Sequence, residues 1–197
     1  MKIVVVGGQS RNVGKTSLAC GVIAGLPDHN WTALKITLFG HGFCARDGKT
    51  CDCAAGSPEH PYALGRELNA EGKTDTARML RAGAREVYWL RVLEGRLQDA
   101  LPLAADRWGA DANVLIESNS VLDYLEADVY LPVIDASVED YKPSALRLLP
   151  RADALAVVGG ELNQRTAQCD GSRRFAIAAP EYCSPEIVAF VRDRLAG

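Results

Sequence analysis

Residues 3–20 read IVVVGGQSRNVGKTSLAC, and this stretch decides the fold. The β-branched run 3–6 predicts a buried strand, which breaks at Gly7-Gly8. A polar loop follows, ending in Gly14-Lys15-Thr16, and a helix-forming stretch begins at Thr16. A strand, a glycine-containing loop and a helix therefore follow one another as in a phosphate-binding P-loop.

The chemistry of this loop is concentrated at the start of the helix. Backbone N–H groups there have no internal partners and can converge on a phosphate, with the positive end of the helix dipole behind them. Lys15 supplies a point charge for the β- and γ-phosphates, and the Thr16 hydroxyl is placed to bind Mg²⁺. We therefore predict a nucleotide site formed by Gly8, Gln9, Ser10, Asn12, Val13, Gly14, Lys15, Thr16 and Ser17.

The loop departs from the usual GxxxxGK[ST] spacing at one position. The first glycine of that pattern would fall on Gln9, whereas Gly8 lies one residue too early. Either Gln9 replaces the glycine or the loop carries an inserted residue.

Composition sets broad limits on the class of protein. A chain of 197 residues, 48% hydrophobic and 24% charged, predicts a single globular domain over 1–197. A net charge of −3 gives no electrostatic reason to expect nucleic acid or an anionic membrane as a partner. The apolar start is too short for a signal peptide, and no apolar run reaches about 20 residues. We expect a cytoplasmic protein whose cysteines are thiols or metal ligands.

Predicted strands and helices alternate along the chain. This alternation predicts an α/β P-loop NTPase fold, a mostly parallel sheet with helices on both faces in three layers. Between about 39 and 74 the sequence has no strong period, and 62–68 is interpreted as a helical turn or two. Asp75 is interpreted as the cap of the next helix. The predicted strands are 2–7, 31–37, 86–92, 113–116, 129–134, 154–158 and 175–178, and the predicted helices are 16–26, 75–82, 93–108, 144–149 and 185–195.

Polar residues at the carboxyl ends of the strands are the next candidates, because ligands of such sheets bind there. Thr37, Glu117, Asp135 and the pair Gly159-Gly160 occupy these positions. Glu117 follows a short buried strand, as the acidic residue of a Walker B strand does. We predict that it holds Mg²⁺ or orients the attacking nucleophile, with Thr16 as a second Mg²⁺ ligand and Lys15 as its catalytic partner.

Two groups of known proteins resemble this chain. The P-loop, LKIT at 34–37, the segment 74–84 with Asp75 and Arg78, and VLIES at 114–118 together resemble the molybdopterin-guanine dinucleotide biosynthesis protein B family. In the later half, LEADVYLPVIDAS at 125–137 and RADALAVV at 151–158 are similar to the nickel-insertion GTPases of urease and hydrogenase maturation.

The resemblance implies a GTP-binding accessory factor for metal-cofactor assembly. Such proteins act as homodimers that close the nucleotide between subunits, hydrolyse it slowly and serve a client protein. Two segments depart from the family patterns. Ser118-Asn119-Ser120 stands where a glycine usually follows the glutamate, and GGEL at 159–162 stands in place of the guanine-reading NKxD. GTP and ATP therefore both remain candidate ligands.

A second constellation follows the second predicted strand. His41, Cys44, Cys51 and Cys53 lie within a short window and could close a tetrahedral Zn²⁺ site or hold an iron–sulfur cluster. Loop thiols without a ligand, or thiols with a redox role, are the alternatives.

Three functions follow from these observations. The first is a nucleoside-triphosphate-hydrolysing accessory protein for metal-cofactor maturation. The second is an ATP-dependent small-molecule kinase or ligase, like the dethiobiotin synthetase relatives of this fold, with Thr37, Asp75, Arg78 and Ser118 as acceptor residues. The third is a nucleotide-gated carrier of a metal or an iron–sulfur cluster.

Overall fold

The computed structural model describes residues 1–40, 60–109, 111–159 and 173–197. The strands are β1 (Ile3–Gly8), β2 (Trp31–Phe39), β3 (Tyr62–Arg66), β4 (Glu86–Leu93), β5 (Asn113–Glu117), β6 (Val129–Asp135), β7 (Ala154–Val158) and β8 (Arg173–Ile177). The α-helices are α1 (Lys15–Gly25), α2 (Asp75–Arg81), α3 (Leu97–Ala105), α4 (Pro143–Leu148) and α5 (Pro185–Ala196). Short 3₁₀ turns follow α1, β5 and α4 at Pro27–His29, Ser120–Asp123 and Leu149–Arg151.

The strands form one sheet in the order β3-β4-β2-β5-β1-β6-β7-β8. Neighbouring strands are parallel except β3 and β4, which pair antiparallel. The P-loop strand β1 therefore lies between β5 and β6, and its Val6 is in register with Glu117. This register brings the P-loop and the end of β5 to the same edge of the sheet, and the predicted α/β P-loop NTPase fold class is confirmed.

Two apolar cores separate the sheet from the helices on its faces. Side chains alternate along each strand, so Val4 and Val6 of β1 join the core beneath α1 and α5. Val5, between them, joins the core beneath α3. The result is the predicted three-layer arrangement. None of the described helices has the length and apolar character needed to span a bilayer.

The helical interpretation of 62–68 is wrong. Residues Tyr62–Arg66 form an edge strand that pairs with β4, and Leu64 packs against the α3 core. Arg66 Nη2 lies 2.9 Å from Glu86 Oε1, which adds a cross-strand ion pair. A segment this short is more stable as a strand added to a sheet than as an isolated helical turn. Nucleating a helix fixes the backbone of several residues for only one hydrogen bond.

The cap of α2 also differs from the predicted residue. The Thr74 hydroxyl accepts a hydrogen bond from the Ala77 N–H at 3.1 Å, so Thr74 is the N-cap. Asp75 is the first residue of the helix, and its carboxylate is free to face the cleft described below.

Glycines on α1 let the segment before α5, and α5 itself, approach the helix closely. A Cβ placed on Gly21 would lie 2.2 Å from Cys183 Cβ, and one on Gly25 would lie 2.5 Å from Val188 Cγ2. Real Cβ atoms do not approach other atoms so closely, so these contacts need a position without a side chain. The glycines thereby fix segment 182–188 against the P-loop helix.

We predict that Gly21→Ala destabilises the protein although alanine is the better helix former. Propensity alone would gain about 1 kcal/mol, whereas the overlap with Cys183 costs about 1–3 kcal/mol. The change in the free energy of unfolding, measured by denaturant titration, is the sum of these two effects. Ala24→Gly, at an exposed position of the same helix, calibrates the propensity and should cost about 1 kcal/mol. A Gly21→Ala variant more stable than the wild type would contradict the packing described here.

Candidate functional site

A cleft of about 980 Å³ opens at the carboxyl ends of β1, β2 and β5. Its walls come from the P-loop, the start of α2 and the segments that follow β5 and β6. The charged side chains among the described lining residues are Arg11, Lys15, Lys35, Arg78 and Lys142, with Asp75, Glu94 and Glu117. Basic side chains outnumber acidic ones here, although the whole chain carries a net charge of −3. The cleft is therefore suited to an anionic ligand.

The P-loop connects β1, which ends at Gly8, to α1, which begins at Lys15. Six residues separate Gly8 from Lys15, and Gln9 stands where the motif has its first glycine. Gly14 adopts φ +103°, a conformation that favours glycine, and the Lys15 ammonium donates to the Ser10 carbonyl at 2.9 Å. The lysine side chain thus folds over the loop that its own helix begins.

A buried hydrogen bond joins α1 to the end of β5. The Thr16 hydroxyl donates to Glu117 Oε2 at 2.7 Å, and Glu117 is 5% exposed. The other carboxylate oxygen, Oε1, accepts from the Lys35 ammonium at 3.0 Å. Both oxygens of Glu117 are therefore held by groups from other elements.

Lys35 extends this network to α2. Its ammonium also donates to Asp75 Oδ2 at 2.6 Å. Arg78 lies one turn further along α2, with Nη1 3.6 Å from Asp75 Oδ1, and its Nη2 donates to the Ser17 hydroxyl at 2.7 Å. The chain of contacts returns to α1 at Ser17, so the start of the P-loop helix is held on two sides.

The pKa values of the network follow from its charges. Burial disfavours the charged form of Lys35, but Glu117 and Asp75 outweigh it and raise the pKa of Lys35. Burial likewise disfavours the ionised form of Asp75, but the hydrogen bond and charge of Lys35 outweigh it and lower the pKa of Asp75. Lys15 behaves differently, because burial lowers its pKa to about 8 and Lys142 and Lys35 add to the effect. Its charge is costly in the free protein.

The donor set around Thr16 fits Mg²⁺. A threonine hydroxyl and a buried carboxylate lie together at the start of α1, with the Asp75 carboxylate linked to them through Lys35. Hydroxyl and carboxylate oxygens are the ligands that Mg²⁺ prefers. Among the described residues there is no group of three or more His, Cys, Asp and Glu side chains that could hold a metal by themselves.

Sequence reasoning missed Asn119 as a brace of the P-loop. Its Oδ1 accepts from the Gly8 N–H and its Nδ2 donates to the Gly8 carbonyl, both at 2.8 Å. A Cβ on Gly7 would lie 2.1 Å from Asn119 Oδ1, so Gly7 is needed for this approach. The departure at 118–120 from the family pattern therefore has a structural role.

Tyr182 was also missed. It lines the cleft, and its ring packs on Gly14, where an added Cβ would lie 2.3 Å from Cδ1. The glycine pair 7–8 is the sequence signal that could have indicated a close contact such as that of Asn119. Nothing in the sequence near Tyr182 points to the P-loop.

Comparisons with known proteins show the fold. The crystal structure of HypB from Helicobacter pylori in complex with nickel is similar, with a TM-score of 0.52 and 13% sequence identity, over 98% of this chain and 85% of that chain. The MinC:MinD cell division protein complex of Aquifex aeolicus aligns with a TM-score of 0.43 and 16% identity, over 98% of this chain and 86% of that chain. No protein-family model matches the chain, and no curated protein matches it. The chain has the α/β fold of HypB.

The predicted site residues fall into three groups. The structure brings Lys15, Thr16 and Glu117 together, and residues 8–17 form the loop around them. Asp135 lies apart from the Thr16 network, where its Oδ1 accepts from the N–H and hydroxyl of Ser137, as in a turn. The predicted metal ligands His41, Cys44, Cys51 and Cys53, and residues 160–162 of the GGEL segment, lie outside the described residues.

We predict that nucleotide binding takes up a proton at mildly alkaline pH. With a pKa of about 8, Lys15 is mostly neutral at about pH 8.5, and a bound polyphosphate raises its pKa again because it stabilises the ammonium. Calorimetry of ATP and GTP binding without Mg²⁺, in two buffers of different ionisation enthalpy, should show uptake of most of one proton. At about pH 7, where Lys15 is already charged, uptake should nearly vanish. Equal binding heats in the two buffers at the higher pH would contradict the burial effect.

Proposed function

We propose that the chain binds a nucleoside triphosphate with Mg²⁺, hydrolyses it slowly and assists the maturation of a metal cofactor. The observation that carries the proposal is the buried bond between the Thr16 hydroxyl and Glu117, beside Lys15 at the start of α1. The free N–H groups of this helix start and the Lys15 ammonium form a cradle for the β-phosphate.

The residues of the cleft contribute to hydrolysis in two ways: they bind the metal and the phosphates, and they stabilise the negative charge of the phosphates. Mg²⁺, when bound, neutralises charge on the β- and γ-phosphates. Thr16 and Glu117 would hold it, with Asp75 in support. Lys15 moves from the Ser10 carbonyl to the phosphates, where its charge is better compensated. Lys35 holds the Glu117 and Asp75 carboxylates through its ammonium and adds positive charge to this side of the cleft.

Glu117 serves as a metal-site and positioning group. Its oxygens accept from Thr16 and from the cationic Lys35. A carboxylate whose two oxygens are both engaged by donors is held in place, as a positioning group must be. Hydrolysis therefore relies on positioning and electrostatics, which is consistent with slow turnover in the free protein.

The role in cofactor maturation is supported by two independent observations. The sequence resembles the molybdopterin-guanine dinucleotide biosynthesis protein B family and the nickel-insertion GTPases. The fold is that of HypB, which was solved in complex with nickel. The proposal includes a homodimer, a client protein and either GTP or ATP as ligand, and Zn²⁺ or an iron–sulfur cluster at His41, Cys44, Cys51 and Cys53.

Phosphoryl transfer to a small acceptor is the second candidate. The cleft continues past the P-loop along the end of β2, where Thr37, Phe39 and Glu94 line it. An acceptor hydroxyl, amine or carboxylate bound there would face the terminal phosphate. Incorporation of γ-phosphate label into a small molecule from a cell extract, rather than into inorganic phosphate, would favour this function.

We predict that Glu117→Gln separates binding from hydrolysis. The amide keeps the size of the side chain but loses the charge that holds the metal, so phosphate release should fall on the order of a hundredfold. Nucleotide affinity without Mg²⁺ should change little. Equilibrium binding and phosphate release are measured with GTP and ATP.

Glu94→Gln is the matched control, because it removes a carboxylate from the same cleft outside the Thr16 network. Its phosphate release should match the wild type. Undiminished hydrolysis by Glu117→Gln, or a wild-type chain that binds neither nucleotide, would contradict the proposed function.

A further inference from the structure

Gln9 links the P-loop to the segment that follows β6. The residue is fully buried. Its N–H donates to the Val133 carbonyl at 3.0 Å, and its Nε2 donates to the Val138 carbonyl at 2.6 Å. Its Oε1 accepts from the Asp135 N–H at 2.6 Å, and its carbonyl accepts from the Lys142 N–H at 2.9 Å. A glycine, as the P-loop motif has it, could make only the two backbone bonds.

The segment held in this way ends at Lys142, immediately before α4. Lys142 lines the cleft. No described residue forms a hydrogen bond or ion pair with its ammonium. Burial lowers the pKa of Lys142, the charge of Arg11 lowers it further, and the charges of Glu117 and Asp140 offset these effects only in part. The residue therefore holds a positive charge where the free protein compensates it poorly.

The other cations of the cleft differ in this respect. Lys35 is paired with Glu117 and Asp75, and Arg78 contacts Asp75 and Ser17. These charges are already compensated within the network. Lys15 and Lys142 are left with lowered pKa values, and the charge of Lys142 contributes to lowering the pKa of Lys15. An anion placed between them would relieve the repulsion.

The position of that anion follows from the residues that line the cleft together with Lys142. Lys142 lines the same cleft as Lys15, Thr16 and Glu117, and its N–H donates to the carbonyl of Gln9 in the P-loop. Arg11, an exposed residue of the P-loop, lines the cleft as well, and its charge lowers the pKa of Lys142. The β-phosphate occupies the helix start itself. A terminal phosphate would extend from there into the cleft that Lys142, Arg11 and Lys15 line.

We propose that Lys142 binds the terminal phosphate of the nucleotide and that Gln9 is the positioning residue that holds the Lys142 segment against the P-loop. The proposal rests on the proposed nucleotide binding and assigns the chain a preference for triphosphate over diphosphate. Loss of the terminal phosphate removes the anion that compensates Lys142. The segment 135–142 thereby senses the state of the nucleotide through a residue that replaces a motif glycine.

The test compares affinities for a non-hydrolysable nucleoside triphosphate and the matching diphosphate, both with Mg²⁺, by calorimetry on the full chain. Lys142→Gln should weaken the triphosphate about ten- to hundredfold, the range of a charge-assisted hydrogen bond, and leave the diphosphate nearly unchanged. Lys142→Arg should restore the triphosphate preference. Gln9→Gly should lower the same ratio, because the segment loses its two side-chain anchors.

The melting temperature of the nucleotide-free protein is a second readout, and it should change in the direction opposite to the triphosphate affinity. Lys142→Gln removes a poorly compensated charge, so the free chain should melt at a higher temperature while it binds triphosphate less tightly. A residue with a merely structural role would lower both. Lys73→Gln, at an exposed lysine away from the cleft, should change neither quantity.

Different results would overturn the roles of Lys142 and Gln9 and the proposed nucleotide binding on which they rest. Equal losses for triphosphate and diphosphate in Lys142→Gln, or no loss for either, would overturn the role of Lys142 while nucleotide binding by the wild type stands. An unchanged ratio in Gln9→Gly would overturn the positioning role of Gln9. A wild-type chain that binds neither nucleotide overturns the proposed function together with this inference.

Discussion

The hydrogen bond between the Thr16 hydroxyl and the buried Glu117 carboxylate organises the cleft. It joins the helix that follows β1 to the end of the neighbouring strand β5, and the parallel register of these strands makes the contact possible. Lys35 then ties the same carboxylate to Asp75 on α2. A buried carboxylate is stable only when its oxygens are satisfied, so the geometry of three elements depends on this one group.

The cleft concentrates positive charge in an acidic protein. Lys35 and Arg78 are compensated by carboxylates, whereas Lys15 and Lys142 carry pKa values lowered by burial. The positive charges of Lys15 and Lys142 would be compensated by a bound anionic ligand. A polyanion would therefore bind where the free protein is electrostatically least favourable, which couples binding to both protonation and stability.

Local sequence patterns were sufficient for the fold and for the centre of the site. The strand, loop and helix around Lys15 are contiguous, and Glu117 ends a short apolar run, so both could be recognised without a structure. The bond of Lys35 to Glu117 spans 82 residues, and that of Asn119 to Gly8 spans 111. Such contacts depend on strand order, which periodicity does not give. Gln9 was ambiguous for the same reason, since its side-chain partners lie at the end of β6 and just after it.

A crystal structure of the chain with Mg²⁺ and a non-hydrolysable nucleoside triphosphate tests the central claim most directly. We expect the Thr16 hydroxyl to leave Glu117 for the metal, and the Lys15 ammonium to leave the Ser10 carbonyl for the phosphates. The Glu117 carboxylate should stay beside Lys35 and face the metal. A nucleotide bound away from the start of α1, with the Thr16–Glu117 bond intact, would contradict it.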